Sequence, residues 1–105
     1  MTGGPRRGCY TPAMEFEWDE GKNAANFQKH GVWFEEAATI FGDPPSDTFD
    51  DPDHSAREHR FLTLGTSSRG RLLVVSHTDR GDRIRIISPR EMTRQERSGH
   101  EEGTR

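Results

Sequence analysis

The chain has one cysteine, Cys9, and therefore no internal disulfide. That excludes a disulfide scaffold and fits a reducing compartment, so a cytoplasmic location is the expectation. Long apolar runs are missing too. None approaches the roughly 20 residues of a membrane span, and the N-terminus has no apolar signal-peptide core. The five histidines, His30, His54, His59, His77 and His100, form no H-x-x-x-H pair, and no Cys/His spacing resembles a zinc site. No metal and no cofactor are expected. Hydrophobic residues are also scarce, at 29% against 31% charged, a balance that would leave the chain partly unfolded if spread evenly.

It is not spread evenly. The apolar residues gather between Phe16 and Met92, and both ends are rich in glycine, threonine and charge. With 105 residues this predicts one small domain over 14–97, a disordered tail over 1–13 and a polar tail over 98–105. The first segment also reads as an extension upstream of a true start at Met14. The net charge of −3 argues against a nonspecific nucleic-acid coat, but its distribution is polarised. From Asp43 to Glu58 six acids face one arginine, giving −5, whereas Arg80–Arg97 holds six arginines and three acids, giving +3.

Local patterns divide the body into elements. Phe16-Glu17-Trp18 alternates as a short strand does, and Asp19 reads as an N-cap for a helix over Lys22–His30 that Gly31 stops. On that helix Ala24, Phe27 and His30 or Gly31 are expected inward, with Lys22, Asn26 and Lys29 outward. Phe34–Phe41 reads as a second short helix, ended by Gly42 and Pro44-Pro45. Ser46–Ala56 reads as a solvated acidic loop without the spacing of a calcium site. Strands are expected over Glu58–Leu64, Leu72–His77 and Arg83–Ser88, the last two joined by Thr78–Asp82 with Gly81 free to take a positive φ. Ser88-Pro89-Arg90-Glu91 has the form of a capping box, which starts a third helix at about Pro89. The fold class is α+β: an antiparallel sheet of about three or four strands, two N-terminal helices and one C-terminal helix.

The hairpin over 72–88 carries the chemistry. If His77 pairs with Arg83, then Val75 faces Arg85 and Leu73 faces Ile87. His77, Arg83 and Arg85 then share one face, while Leu72, Val74, Ile84 and Ile86 share the other. A face of arginines suits phosphate, because each guanidinium can bond two phosphate oxygens and stays charged. The bland account is a solvated strand face, and it weighs most heavily on Arg80 and Arg85.

Several short pieces together resemble the BrnT toxins: Phe16-Glu17-Trp18-Asp19, Lys29-His30-Gly31, Phe34-Glu35-Glu36-Ala37, Arg60-Phe61 with Gly65, and Gly81-Asp82-Arg83-Ile84-Arg85-Ile86-Ile87-Ser88. The resemblance covers 15–97 in order. It departs at Trp33, where small polar caps are common, and at Pro89, where alanine is usual. What it implies is a RelE-like fold and a ribonuclease toxin of a type II toxin–antitoxin pair, inhibiting translation and growth. The implied partner is a BrnA-like ribbon-helix-helix antitoxin, which reaches operator DNA on the toxin's behalf and represses the operon. A toxin homodimer within that complex stays open, as does a noncatalytic module that only binds the antitoxin and serves autoregulation.

With RNA as the implied substrate, metal-independent cleavage needs a base for the 2′-hydroxyl, an acid for the leaving 5′-oxygen and cations at the phosphate. The catalytic candidates are His77, which titrates near neutrality, Arg83 and Arg85 beside it, and Glu58 and Arg60 on the preceding strand. Lys29, His30, Arg80 and Arg90 are the candidate RNA contacts, His30 having the alternative of a simple helix-end cation. His59 points away from Glu58 and Arg60 and is the weaker histidine. An antitoxin covering such a surface is expected to present acidic or apolar residues.

Overall fold

Alternating apolar and polar residues from Arg60 onward build three long strands, and the rest of the chain is arranged around them. The computed structural model describes residues 15–54 and 58–103. The expected tail over 1–13 and the question of a start at Met14 lie outside those residues. In order, the elements are β1 (Glu15–Glu17), α1 (Glu20–His30), α2 (Phe34–Ala38), β2 (Asp47–Asp50), β3 (Arg60–Thr66), β4 (Leu72–Arg80), β5 (Arg83–Glu91) and α3 (Arg94–Gly103). Short 3-10 turns follow α2 at Thr39–Gly42 and β2 at Pro52–His54.

The sheet has the order β1-β5-β4-β3-β2. It therefore holds five strands rather than three or four, and it is mixed: β1 runs parallel to β5, while all other pairs are antiparallel. The fifth strand comes from the stretch expected to be an acidic loop. Thr48 and Phe49 favour extended backbone, and the Thr48 and Thr63 hydroxyls meet across the strands at 2.8 Å. The aspartates at its ends, Asp47 and Asp50, keep this exposed edge charged, which discourages sheet-to-sheet aggregation.

One sheet face carries the core. Leu73, Val75 and Ile86 pack there against Val32, Phe34, Ala37 and Ile40, with Phe16, Trp18, Ala38 and Phe41 at the margin. Helix α1 begins as expected, the Asp19 carboxylate accepting from the Lys22 backbone N–H at 3.0 Å, and ends on Gly31 at φ 73°. Its inward face differs from the expectation. Asn23 and Asn26 are buried, while Ala24 and Phe27 are exposed. The reason is hydrogen bonding rather than apolar burial. Asn23 accepts from the Phe34 N–H at 2.8 Å and so caps α2, which Trp33 leaves without a side-chain cap. Asn26 donates to the carbonyls of Val32 (2.9 Å) and Pro89 (3.0 Å) and accepts from Ser88 Oγ (3.2 Å), stitching α1 to β5.

The C-terminal helix also starts later than the sequence signal suggests. β5 runs through Ser88 and Pro89 to Glu91, because its later half has no outer neighbour and proline's missing N–H costs nothing there. The capping box that operates is Thr93 with Glu96: Thr93 Oγ1 accepts from the Glu96 N–H (3.1 Å), and Glu96 accepts from the Thr93 N–H (2.9 Å). The stretch expected to be a polar tail continues this helix to Gly103. Glu96 also holds Arg90 through two bonds of 2.8 and 2.9 Å, and His100 lies 3.6 Å from Asp47. Arg90, Val74, Leu64 and Asp47 form one row across β5, β4, β3 and β2. Helix α3 thus spans the second sheet face at this end, and Val74 beneath it is 2% exposed.

Replacing Asn26 by Ala removes the donor shared by two chain segments and leaves buried carbonyls unsatisfied. Urea unfolding is expected to show a loss of about 2 kcal/mol, more than an exposed α1 position such as Lys22 would give.

Candidate functional site

The hairpin register decides which side chains can act together. Alternation predicts Arg83 opposite His77; the strands instead place Arg83 opposite Arg80, a shift of three residues. Arg85 faces Thr78, and His77 faces Ile86 across an irregularity between Ser76 and His77. The cause lies in the turn. Gly81 adopts φ 67° and lets Gly81-Asp82 close the hairpin alone, so both strands run further than the apolar pattern implies. An odd shift moves a side chain to the other face, which separates His77 from both arginines.

His77 is a core residue in this arrangement. It is 4% exposed, its Nε2 sits 2.7 Å from Thr63 Oγ1, and its ring lies against Phe41 (4.9 Å, edge-on) and Phe61 (5.6 Å, stacked). Burial pushes its pKa down to about 4, and the nearby Asp79 only partly opposes that. His59 is on the same side, stacked on Phe61 at 4.6 Å and bonded to Asp50 at 3.0 Å, as its position relative to Glu58 and Arg60 predicts.

The opposite face carries two charged rows. Arg60, Thr78, Arg85 and Glu17 line up across β3, β4, β5 and β1. One step along, Glu58 meets Arg80, which pairs with Arg83 and then Glu15. Glu17 is where the rows converge. Its carboxylate lies 3.2 Å from Arg85 Nη1, 3.4 Å from Arg83 Nη1 and 3.7 Å from Arg80 Nη1. Glu58 takes Arg80 at two points, 3.2 Å each, and Glu15 is 3.4 Å from Arg83 Nε. The hydrogen bond from Arg85 is the main reason the Glu17 carboxyl is held below the usual range, with the other two arginines adding to it. Four arginines against three glutamates leave these rows a formal +1, so they form an ordered mixed-charge array rather than a broad cationic patch.

The expected site residues therefore divide. Glu58, Arg60, Arg80, Arg83 and Arg85 come together on one face. His77 does not join them. Arg90 is engaged by Glu96, and Lys29 and His30 occupy the last turn of α1, outside the charged rows. Glu17 is the addition. The short alternation Phe16-Glu17-Trp18 marks it as outward-facing, but its arginine partners are up to 68 residues away and parallel pairing leaves no local signal.

The family profile described as "Ribonuclease toxin, BrnT, of type II toxin-antitoxin system" matches residues 18–96. The chain belongs to the BrnT family. A crystal structure of the Brucella abortus ribonuclease toxin BrnT is similar over 77% of this chain and 99% of that one, at 23% identity and a TM-score of 0.61. At that identity the likeness shows a shared fold. None of the curated proteins matches the sequence. Among the described residues of this BrnT chain, no helix is long and apolar enough to cross a membrane.

The buried imidazole gives a pH test. Between its ordinary pKa of 6.5 and the folded value of about 4, the unfolded chain binds a proton that the folded chain refuses. Stability is full above pH 6.5 and falls as the pH drops toward 4, by up to about 3 kcal/mol for a difference of 6.5 − 4. Urea unfolding from pH 7 to pH 4 is expected to show this extra slope in the unmodified protein and not in His77→Gln.

Proposed function

We propose that this BrnT protein is a metal-independent endoribonuclease whose arginine face grips the phosphodiester of RNA, inhibiting translation and growth when no antitoxin is bound. The observation that carries the reading is the convergence of Arg80, Arg83 and Arg85 on one carboxylate at an exposed sheet face. A site that holds a carboxylate through several guanidinium donors has the donors a phosphate needs. In the transition state the phosphate gains negative charge, and fixed guanidinium groups stabilise it more there than in the ground state. Glu58 and Arg60 extend the same face, and Arg80 belongs to the grip rather than to a remote contact surface.

The partner that fits is a BrnA-like ribbon-helix-helix antitoxin. Because the rows already hold both signs of charge, an antitoxin that matches them presents both charges in register, beyond the acidic or apolar cover that a uniform cationic surface would call for. Such a complex forms in the cytoplasm and reaches operator DNA through the antitoxin.

A noncatalytic module that only binds the antitoxin remains the competing reading, and one observation favours it: the three arginines already have internal carboxylate partners. The two readings part on a simple assay. Purified, partner-free protein is incubated with single-stranded RNA in EDTA, beside the Arg83→Ala/Arg85→Ala double variant. The expected result is cleavage by the unmodified protein and a loss of at least about 100-fold in the double variant, with an unchanged circular dichroism spectrum. Intact RNA with the unmodified protein favours the binding module. Cleavage retained by the folded double variant rejects the arginine face as the site.

A further inference from the structure

We infer that Glu17 is the proton acceptor of the RNA cleavage proposed above, a role that rests on that reading. A general base must reach the 2′-hydroxyl adjoining the phosphate that the cations hold. Among the described residues, the histidines nearest in sequence to this face, His59 and His77, lie on the other side of the sheet. Three carboxylates remain on the arginine face. Of the three guanidiniums of the proposed grip, Glu58 meets Arg80 and Glu15 meets Arg83. Glu17 alone of the three contacts Arg80, Arg83 and Arg85 together, at 3.7, 3.4 and 3.2 Å. A phosphate gripped by those guanidiniums is necessarily its neighbour.

The step balances without a metal. A Glu17 oxygen takes the 2′-hydroxyl proton as O2′ bonds to phosphorus, the P–O5′ bond breaks, and the 5′-oxygen takes a proton from solvent. Glu17 then returns its proton to solvent. The products are a 2′,3′-cyclic phosphate and a 5′-hydroxyl, with no net proton consumed. The arginines make this carboxylate a weak base in the free protein. When the phosphate arrives, the same donors turn toward its growing charge and release their hold on Glu17, so its basicity rises as the reaction requires it. Binding and base activation are thereby coupled through one set of guanidiniums.

The test uses the full chain, purified without its partner, with a single-stranded RNA and its all-2′-deoxy counterpart, which binds but cannot react. Glu17→Gln is expected to cut cleavage by on the order of 100- to 10,000-fold. Binding of the deoxy strand should hold or tighten, because a competing carboxylate has gone. Glu17→Asp, which keeps a base on a shorter arm, is expected to recover part of the rate. Cleavage by Glu17→Gln within tenfold of the unmodified protein overturns the assignment and leaves the arginine site standing. Parallel loss of deoxy-strand binding and cleavage also overturns it, since that marks a structural role. An unmodified protein that leaves RNA intact overturns the ribonuclease reading and this one with it.

Discussion

The ion pair between the buried Glu36 and the partly exposed Arg71 decides how the two layers meet. Glu36 lies on α2 and is 7% exposed, while Arg71 immediately precedes β4. Taking such charges from water is costly, and the pair is tolerable only because each side is bonded several times over. Arg71 donates through Nε (2.9 Å) and Nη2 to the two Glu36 oxygens, through Nη2 to the Gly31 carbonyl (2.9 Å) and through Nη1 to Glu91 (3.0 Å). Ser67 adds a further bond to Glu36 at 2.7 Å. One guanidinium thus joins the end of α1, the helix after it, the β3–β4 loop and the end of β5. With the helices pinned to one sheet face, and α3 spanning the far end of the other, the arginine rows are left facing solvent.

Those rows are organised by sheet geometry alone. Residues opposite one another on neighbouring strands sit about 5 Å apart, so a residue's strand position fixes its charge partner. β1 contributes only three residues, yet its parallel pairing with β5 sets Glu15 beside Arg83 and Glu17 beside Arg85. Without β1 the arginines of β5 would form an open cationic edge. With it, any anion must exchange with an internal carboxylate, which favours ligands carrying several negative groups at the right spacing over a single diffuse charge. A nucleic-acid backbone has that character.

The sequence makes the elements legible more readily than their relations. Asp19, Gly31 and Gly81 act as their local chemistry predicts, and the arginine-bearing hairpin exists. Its register does not follow, and the reason is instructive. Sorting aliphatics onto one face assumes that only one face is covered. Here Val74 is buried beneath α3, on the side away from Val75, so aliphatics belong on both faces of β4 and the criterion loses its force. The Ser88-Pro89 signal fails for a related reason: pairing with β4 carries the chain through it, and the same capping grammar is satisfied five residues later at Thr93. Helix α1 reverses the usual rule, its asparagines turning inward because backbone groups there need partners more than the core needs another alanine.

The charges that hold the fold are therefore not those of the proposed site. Glu36 is enclosed, and losing Arg71 would strand its carboxylate away from water. The Glu15, Glu17 and Glu58 pairs with the arginines lie at the sheet surface, Glu17 and Arg85 half-buried and the others more open, and surface ion pairs add little to folding. Their arrangement is nevertheless specific, with three guanidiniums brought to one carboxylate by a short parallel strand. Folding alone gives little reason to assemble such an array on an exposed face. The proposed anionic substrate would give a direct one, because groups that contribute little to the fold are free to exchange their partners for it.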